Sequence, residues 1–152
     1  MDIQQLFNID GKTALITGGS RGIGEMIAAG FLANGVKVYI TARKEAPLLE
    51  KAKELSEKFS GECIAIPCDL SNMEGIKKLV FDYLDYEESL DILVNNAGAA
   101  WGEPYEDFSE KGWDKVMDTN VKSIFFLTRD LTPALSKSAS DDEPSRVINI
   151  GS

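Results

Sequence analysis

The sequence contains no histidine and only two cysteines among its 152 residues. The absence of histidine excludes Ser-His-Asp triads, histidine metal ligands and histidine acid/base catalysis. Cys63 and Cys68 lie in or near one apolar segment, and their number and spacing indicate neither a disulfide framework nor a zinc site. We expect both thiols to be reduced and buried, and we expect no metal site.

Basic residues are also scarce, since 16 Lys and Arg stand against 25 Asp and Glu and give a formal net charge of −9. This charge argues against nucleic acid or an anionic membrane surface as a partner, so a bound anion must be held by a local site. No apolar run approaches the ~20 residues that a membrane span needs. Residues 1–5 show neither the basic nor the apolar region of a signal peptide. We therefore expect a cytoplasmic protein.

Short apolar segments alternate with helical ones along the chain, which is typical of a parallel sheet covered by helices. We expect strands over residues 12–18, 36–42, 63–67, 91–95 and 146–151. Helices are expected over 22–34, about 46–59, around 76–83 with Ser71 or Asn72 as cap, near 109–117, and over 119–135. Pro133 should kink or loosen the last of these, and 136–145 should form a surface loop. The predicted fold class is α/β, a Rossmann-type doubly wound parallel sheet.

The loop between the first strand and the first helix is rich in glycine and reads Thr17-Gly18-Gly19-Ser20-Arg21-Gly22-Ile23-Gly24. Gly18 would permit the tight turn off the strand, and Gly22 would let backbone N–H groups approach a phosphate. Gly24 would let the helix pack closely on the strand. Because a helix N-terminus attracts anions, this loop predicts a dinucleotide pyrophosphate site.

The end of the second strand indicates which dinucleotide is bound. NAD-binding proteins of this fold usually place a carboxylate there for the ribose 2′-OH, but here Ala42 occupies that position and Arg43 follows. Arg43 and Arg21 together suit a 2′-phosphate, so we expect NADP(H) as the cofactor. Two alternatives stay open: both arginines are ordinary surface charges, or Glu45 acts as a displaced ribose-binding acid rather than favouring the next helix N-terminus.

The spacing Thr17-Gly18-(x)3-Gly22-x-Gly24 resembles the short-chain dehydrogenase/reductase family, and further motifs follow in the family's order. The resemblance implies one NADP-binding Rossmann domain over residues 1–152. It also implies that Asp69, next to Leu70, contacts the adenine ring. In the Asn95-Asn96-Ala97-Gly98 motif it implies that Asn95 supports the sheet and that the backbone of Ala97 and Gly98 lies against the cofactor. With the loop residues Ser20 and Ile23, these complete the expected cofactor site.

The same resemblance implies two catalytic residues. Asn120 matches the asparagine that holds a relay water through its backbone at a local helix distortion, and Ser152 matches the serine that polarises the substrate carbonyl. Within the family the chain is most similar to β-ketoacyl reductases associated with rhamnolipid synthesis. The substrate would then be a small ketone or an acyl thioester, reduced with NADPH. Trp113 is expected to pack its helix rather than to bind substrate.

The family's catalytic Tyr and the Lys four positions after it have no counterpart in the sequence. Four residues after the four tyrosines stand Arg43, Glu87, Leu90 and Ser109. We therefore expect a fragment of a longer reductase, inactive and poorly folded alone, with the fifth strand as an unpaired edge. The resemblance implies a homodimer or homotetramer for the complete protein. The alternative is a non-catalytic NADP-sensing or interaction module.

Overall fold

The structure, a computed structural model, describes residues 7–151 and contains five parallel strands in one sheet. The strands are β1 (Thr13–Thr17), β2 (Lys37–Ala42), β3 (Cys63–Pro67), β4 (Ile92–Asn95) and β5 (Arg146–Asn149). Their order in the sheet is β3-β2-β1-β4-β5, and β1 pairs in parallel with both β2 and β4. This order confirms the predicted Rossmann-type doubly wound sheet.

The described residues contain five α-helices, α1 (Gly22–Leu32), α2 (Glu45–Phe59), α3 (Met73–Tyr86), α4 (Glu110–Met117) and α5 (Ser123–Ser138), of which all but α4 pack on the sheet. A 3₁₀ turn spans Tyr105–Asp107, and a π-helical turn, Asp118–Lys122, joins α4 to α5. The open choice of cap for α3 falls on Asn72, whose side chain accepts a 2.9 Å hydrogen bond from the N–H of Gly75. Ser109 caps α4 in the same way through the N–H of Gly112.

Side chains of the central strands point alternately to the two faces of the sheet and form two separate cores. On one face Leu15, Tyr39 and Leu93 pack with α3 and α5. On the other face Ile16 and Ile40 pack with α1 and α2. Because both faces are covered, these strands are apolar throughout instead of alternating apolar with polar.

Several predicted boundaries were wrong by one to three residues. Helix α1 ends at Leu32 instead of at 34, before Gly35 with its left-handed φ of 77°. Helix α5 continues to Ser138, so residues 136–138 are helix and not loop. Its last turn is stabilised because the hydroxyl of Ser138 donates to the carbonyl of Leu90. Pro133 lies inside this helix, which continues for five residues beyond it.

Two observations concern the surface. Trp113 is 59% exposed, so the expectation that it packs its helix was wrong: its position on α4 faces solvent. β5 is the outer strand of the sheet in the described residues, with Val147 43% exposed, as expected for an edge. Within residues 7–151, no helix has the length and apolar character needed to cross a membrane.

Candidate functional site

A cleft of about 760 Å³ lies at the carboxyl ends of β1 to β4. In open α/β sheets this edge, where the strand order reverses, is where ligands bind. Residues from all four strand ends line the cleft: Gly18, Ser20, Arg21, Gly22, Thr41, Ala42, Arg43, Lys44, Pro47, Cys68, Leu70, Ala97 and Gly98. The fold thus brings most of the predicted cofactor residues into one place. Ile23, Gly24, Asp69 and Asn96 are not part of its lining.

The glycine loop has the shape that its sequence predicts. Gly18 and Gly22 have φ values of 70° and 60°, in the left-handed region that favours glycine. A Cβ at Gly24 would lie 2.4 Å from the carbonyl oxygen of Gly18, so α1 packs directly on the loop. Gly19 was missed by the sequence reasoning, although a Cβ there would lie 2.5 Å from Cγ2 of Ile40.

The amino end of α1 points into this loop with its first N–H groups free. The N-cap residue Arg21 has extended backbone and, within the described chain, makes no side-chain capping bond. Nothing within 4 Å would meet a Cβ at Gly22, so the backbone there is open to an incoming group. Free N–H groups at a helix N-terminus form an anion site, and here they border the cleft. Ile23 lies in the first turn of this helix and is 54% exposed.

Thr17 and Asn96 fasten the end of β4 to the end of β1. The buried hydroxyl of Thr17 accepts 2.9 Å hydrogen bonds from the N–H groups of both Asn96 and Ala97. The Asn96 side chain donates to the carbonyls of Thr17 at 2.9 Å and Gly18 at 3.3 Å. Asn96 is not a lining residue, but its hydrogen bonds fix the backbone that lines the cleft. Thr17 contributes to the same connection, a role that the sequence reasoning missed.

Asn95 is buried and links three elements through its side-chain amide. Its Nδ2 donates to Oδ1 of Asn149 on β5 at 2.9 Å and to Oγ1 of Thr128 on α5 at 3.2 Å. These bonds hold β4, β5 and α5 together just below the cleft. Asn95 thus lies where the resemblance implied, in a position that supports the sheet.

Three cationic side chains belong to residues that line the cleft: Arg21, Arg43 and Lys44. None of the three forms an ion pair within residues 7–151, and Ala42 places no carboxylate among them. Lys44 was missed by the sequence reasoning; its position directly after Arg43 was the available signal. Glu45 is the first residue of α2 and not part of the cleft lining, which favours the helix-terminus interpretation of its carboxylate.

The end of β3, next to the end of β2 in the sheet, also lines the cleft. Leu70 is buried and lines the cleft, whereas the half-buried Asp69 accepts a 3.0 Å bond at Oδ1 from the N–H of Ser71. Cys68 also lines the wall, with its Sγ 2.8 Å from Oγ1 of Thr41. Burial raises the pKa of the Cys68 thiol to about 11, so it is protonated and poorly reactive at neutral pH. Cys68 and Thr41 were not among the predicted site residues.

Asn120 occupies the π-helical turn between α4 and α5. Its Oδ1 accepts from the N–H of Ala99 at 2.7 Å, and its Nδ2 donates to the carbonyl of Ala99 at 2.8 Å. A π-helical turn interrupts the α-helical ladder and is frequent at functional sites. Asn120 therefore lies at a helix distortion beside the loop that leaves the cleft at Gly98. The other expected catalytic residue, Ser152, lies outside the described residues.

Comparison with known proteins identifies the family. The family model described as short chain dehydrogenase matches residues 12–152. The chain belongs to the short-chain dehydrogenase family. The glycine loop and the Asn95–Gly98 motif thus belong to a chain of the family that these motifs resemble.

Individual short-chain dehydrogenases are similar over nearly the whole chain. A rhamnolipids biosynthesis 3-oxoacyl-[acyl-carrier-protein] reductase of Pseudomonas aeruginosa is 48% identical over 96% of this chain and 56% of that protein. A solved Pseudomonas aeruginosa RhlG/NADP active-site complex has a TM-score of 0.91 at 48% identity, covering 96% of this chain and 56% of that one.

L-sorbose reductase from Gluconobacter frateurii, complexed with NADPH and L-sorbose, is a more distant relative. It has a TM-score of 0.87 at 32% identity, with 93% of this chain and 52% of that one covered. The chain spans about half the length of the curated relatives it matches.

Proposed function

We propose that this chain is the cofactor-binding part of an NADPH-dependent reductase that reduces a ketone or β-ketoacyl carbonyl. The observation that carries the proposal is the cleft at the sheet edge, which is bordered by the N-terminus of α1 and lined by three cationic side chains without an ion pair in residues 7–151. Both features attract phosphate groups, and a dinucleotide with a 2′-phosphate offers phosphates at both places.

The residues present fit NADP(H). The N–H groups of the loop 18–22 and of the first turn of α1 would hold the pyrophosphate, since Gly18 and Gly22 keep the backbone accessible. Arg21, Arg43 and Lys44 would hold the 2′-phosphate. Leu70 would support the adenine ring from the β3 side, with Asp69 beside it. The family relatives solved with NADP or NADPH support the same choice.

When bound in this cleft, NADPH would supply the hydride for the substrate carbonyl carbon. The chain contributes position and part of the proton path. Because both polar side-chain atoms of Asn120 are bonded to Ala99, its part in the relay would fall to its main chain, which would hold a water. Ser152 orients and polarises the carbonyl. The proton donor and the lysine that lowers its pKa must come from residues beyond these 152, as a downstream Tyr-x-x-x-Lys would supply.

The substrate class is proposed from the relatives. One acts, by its name, on 3-oxoacyl groups attached to a carrier protein, and another is a reductase solved with L-sorbose. At 48% against 32% identity the 3-oxoacyl reductase is the better guide, so we propose a β-ketoacyl thioester. A cytoplasmic location and a homodimer or homotetramer complete the proposal for the whole protein.

The proposal is tested on the protein expressed from its complete reading frame. Dissociation constants for NADPH and NADH are measured by fluorescence titration, and reduction is assayed with β-ketoacyl thioesters against simple ketones. We expect NADPH to bind at least about tenfold more tightly, a difference of ~1.4 kcal/mol. Comparable affinities would contradict the role of the three cations. Tight NADPH binding without reduction of any carbonyl would instead support the alternative, a non-catalytic NADP-sensing module.

A further inference from the structure

The loop that follows the cleft residue Gly98 carries a tryptophan packed on bare helix backbone. A Cβ at Gly112 of α4 would lie 2.3 Å from Cδ1 and 2.5 Å from Nε1 of Trp101, so the indole fills the space of a side chain. The ammonium of Lys115, on the same helix, lies 4.7 Å from the centre of the indole ring. Trp101 thus contacts both glycine backbone and a cation of α4, a favourable arrangement for an indole.

The indole N–H is buried without a hydrogen bond. Among the described residues, Nε1 of Trp101 is the one buried side-chain polar atom with no partner. The carboxylate of Glu103 accepts a 2.6 Å bond from the N–H of Ser109. Hydrogen bonds from Ser109 lower the pKa of this carboxylate most, and the polar interaction with the indole N–H of Trp101 lowers it further.

The same loop is fastened to the α4 region at two further points. Ala99 exchanges two hydrogen bonds with the side chain of Asn120, and Glu103 is bonded to Ser109 at the amino end of α4. Trp101 lies between these two attachments. The loop 98–103, helix α4 and the π-helical turn therefore form one unit, and the loop begins at Gly98 in the cleft wall.

We propose that Trp101 is a positioning residue for the reaction: its packing on Gly112 keeps the loop 98–103 in the place where Ala99 meets Asn120. Trp101 is not among the residues that line the cleft, so we infer that it acts through the loop. The inference rests on the proposed reductase function for its kinetic part. Its structural part, the coupling of Trp101, Gly112 and Ala99, does not depend on that function.

The first test replaces Trp101 in the protein expressed from its complete reading frame. For Trp101→Ala we expect amide hydrogen exchange in residues 98–103 to accelerate by about tenfold or more, because a local attachment is lost. We expect kcat to fall by about tenfold to a hundredfold, the effect of a displacement of roughly 1 Å near the reacting groups. The NADPH dissociation constant should change by less than about threefold, because the glycine loop and the cations are untouched.

The controls separate positioning from a general loss of structure. Trp101→Phe, which keeps an aromatic ring on Gly112, should restore most of kcat. Trp113→Ala removes the exposed tryptophan of the same helix and should leave exchange in 98–103 and kcat unchanged. The positioning role is wrong if kcat of Trp101→Phe is no higher than that of Trp101→Ala. It is also wrong if Trp101→Ala raises KM for NADPH by the same factor as it lowers kcat, or if a large fall in melting temperature accompanies the loss of kcat.

A second test reverses the steric relation. Gly112→Ala in a helix interior is ordinarily stabilising, but here its methyl group would displace the indole. We expect Gly112→Ala to accelerate exchange in 98–103 as Trp101→Ala does, and the double variant to be no worse than Trp101→Ala alone. Additive effects would overturn the coupling. A protein that binds NADPH but reduces nothing would refute the proposed function, while the exchange data would still decide the coupling.

Discussion

Gly24 provides a quantitative test of how the glycine loop supports the cleft. It lies in the first turn of α1, where alanine would normally stabilise the helix by about 1 kcal/mol. Here a Cβ would come within 2.4 Å of the carbonyl oxygen of Gly18 and 2.6 Å of Nδ2 of Asn96. Gly24→Ala must therefore push α1 away from β1 or break the bonds that Asn96 donates.

The magnitude follows from these contacts. Overpacking costs about 1–3 kcal/mol, and each lost hydrogen bond of Asn96 costs ~1 kcal/mol. With one of the two Asn96 bonds lost and the helix propensity gain of about 1 kcal/mol subtracted, we expect a net destabilisation of about 1–3 kcal/mol. For a chain of this size that lowers the melting temperature by about 2–12 °C. NADPH binding should weaken as well, because the clash displaces the backbone of Gly18, which lines the cleft.

Gly30, on the same helix, is the matched control. It is exposed, and nothing within 4 Å would meet a Cβ there. Gly30→Ala should raise the melting temperature by about 2–4 °C, since it gains helix propensity without a clash. Thermal unfolding of the complete protein, with a parallel NADPH titration, measures both variants. If Gly24→Ala melts at or above the temperature of Gly30→Ala, the close helix–strand contact has no energetic consequence and our reasoning fails.

Three further outcomes are expected. Arg43→Ala should weaken NADPH binding by about tenfold and NADH binding far less, as measured by titration. Equal losses for the two cofactors would show that Arg43 does not bind the 2′-phosphate. Hydrogen bonds from Lys37 and Tyr39 outweigh the effect of burial and lower the pKa of Glu87, while burial raises that of Tyr39. Stability should therefore fall below pH ~4.3 and above pH ~10 in thermal melts, and Tyr39→Phe should reduce the alkaline loss. Cys68, with a pKa of about 11, should react slowly with thiol reagents at pH 8 and more slowly with NADPH bound; rapid modification of the folded protein would contradict its burial.

The strands and the site loop were predictable because strong local patterns specify them. Five apolar β-branched segments separated by amphipathic ones predict the doubly wound sheet. The glycines from Gly18 to Gly24 then place the phosphate site at the end of the first strand. These features depend on neighbours in sequence, and the structure confirms the fold that they predict.

Features that depend on contacts between distant residues were not predictable. Helix α5 continues past 135 because two hydrogen bonds connect its last turn to Leu90. The N–H of Leu90 donates to the carbonyl of Ala134, and the hydroxyl of Ser138 donates to the carbonyl of Leu90. Trp113 was expected to be packed, yet the tryptophan that packs on α4 is Trp101, from the loop before it. No local pattern distinguishes the two, since each is a large apolar residue beside a glycine. The tertiary contact decides which one is covered.

The bonds between Thr17 and Asn96 also have a consequence for the order in which the protein acquires its shape. They join residues 79 positions apart, and closing a loop of that length has an entropic cost of about 4 kcal/mol. The half-sheet of β1 to β3 can form by earlier and shorter closures, as the chain leaves the ribosome. The cleft exists only after residue 98 has been synthesised and β4 has added to β1. Newly made chains should therefore gain nucleotide affinity in a late step, separate in time from the collapse of the first three strands.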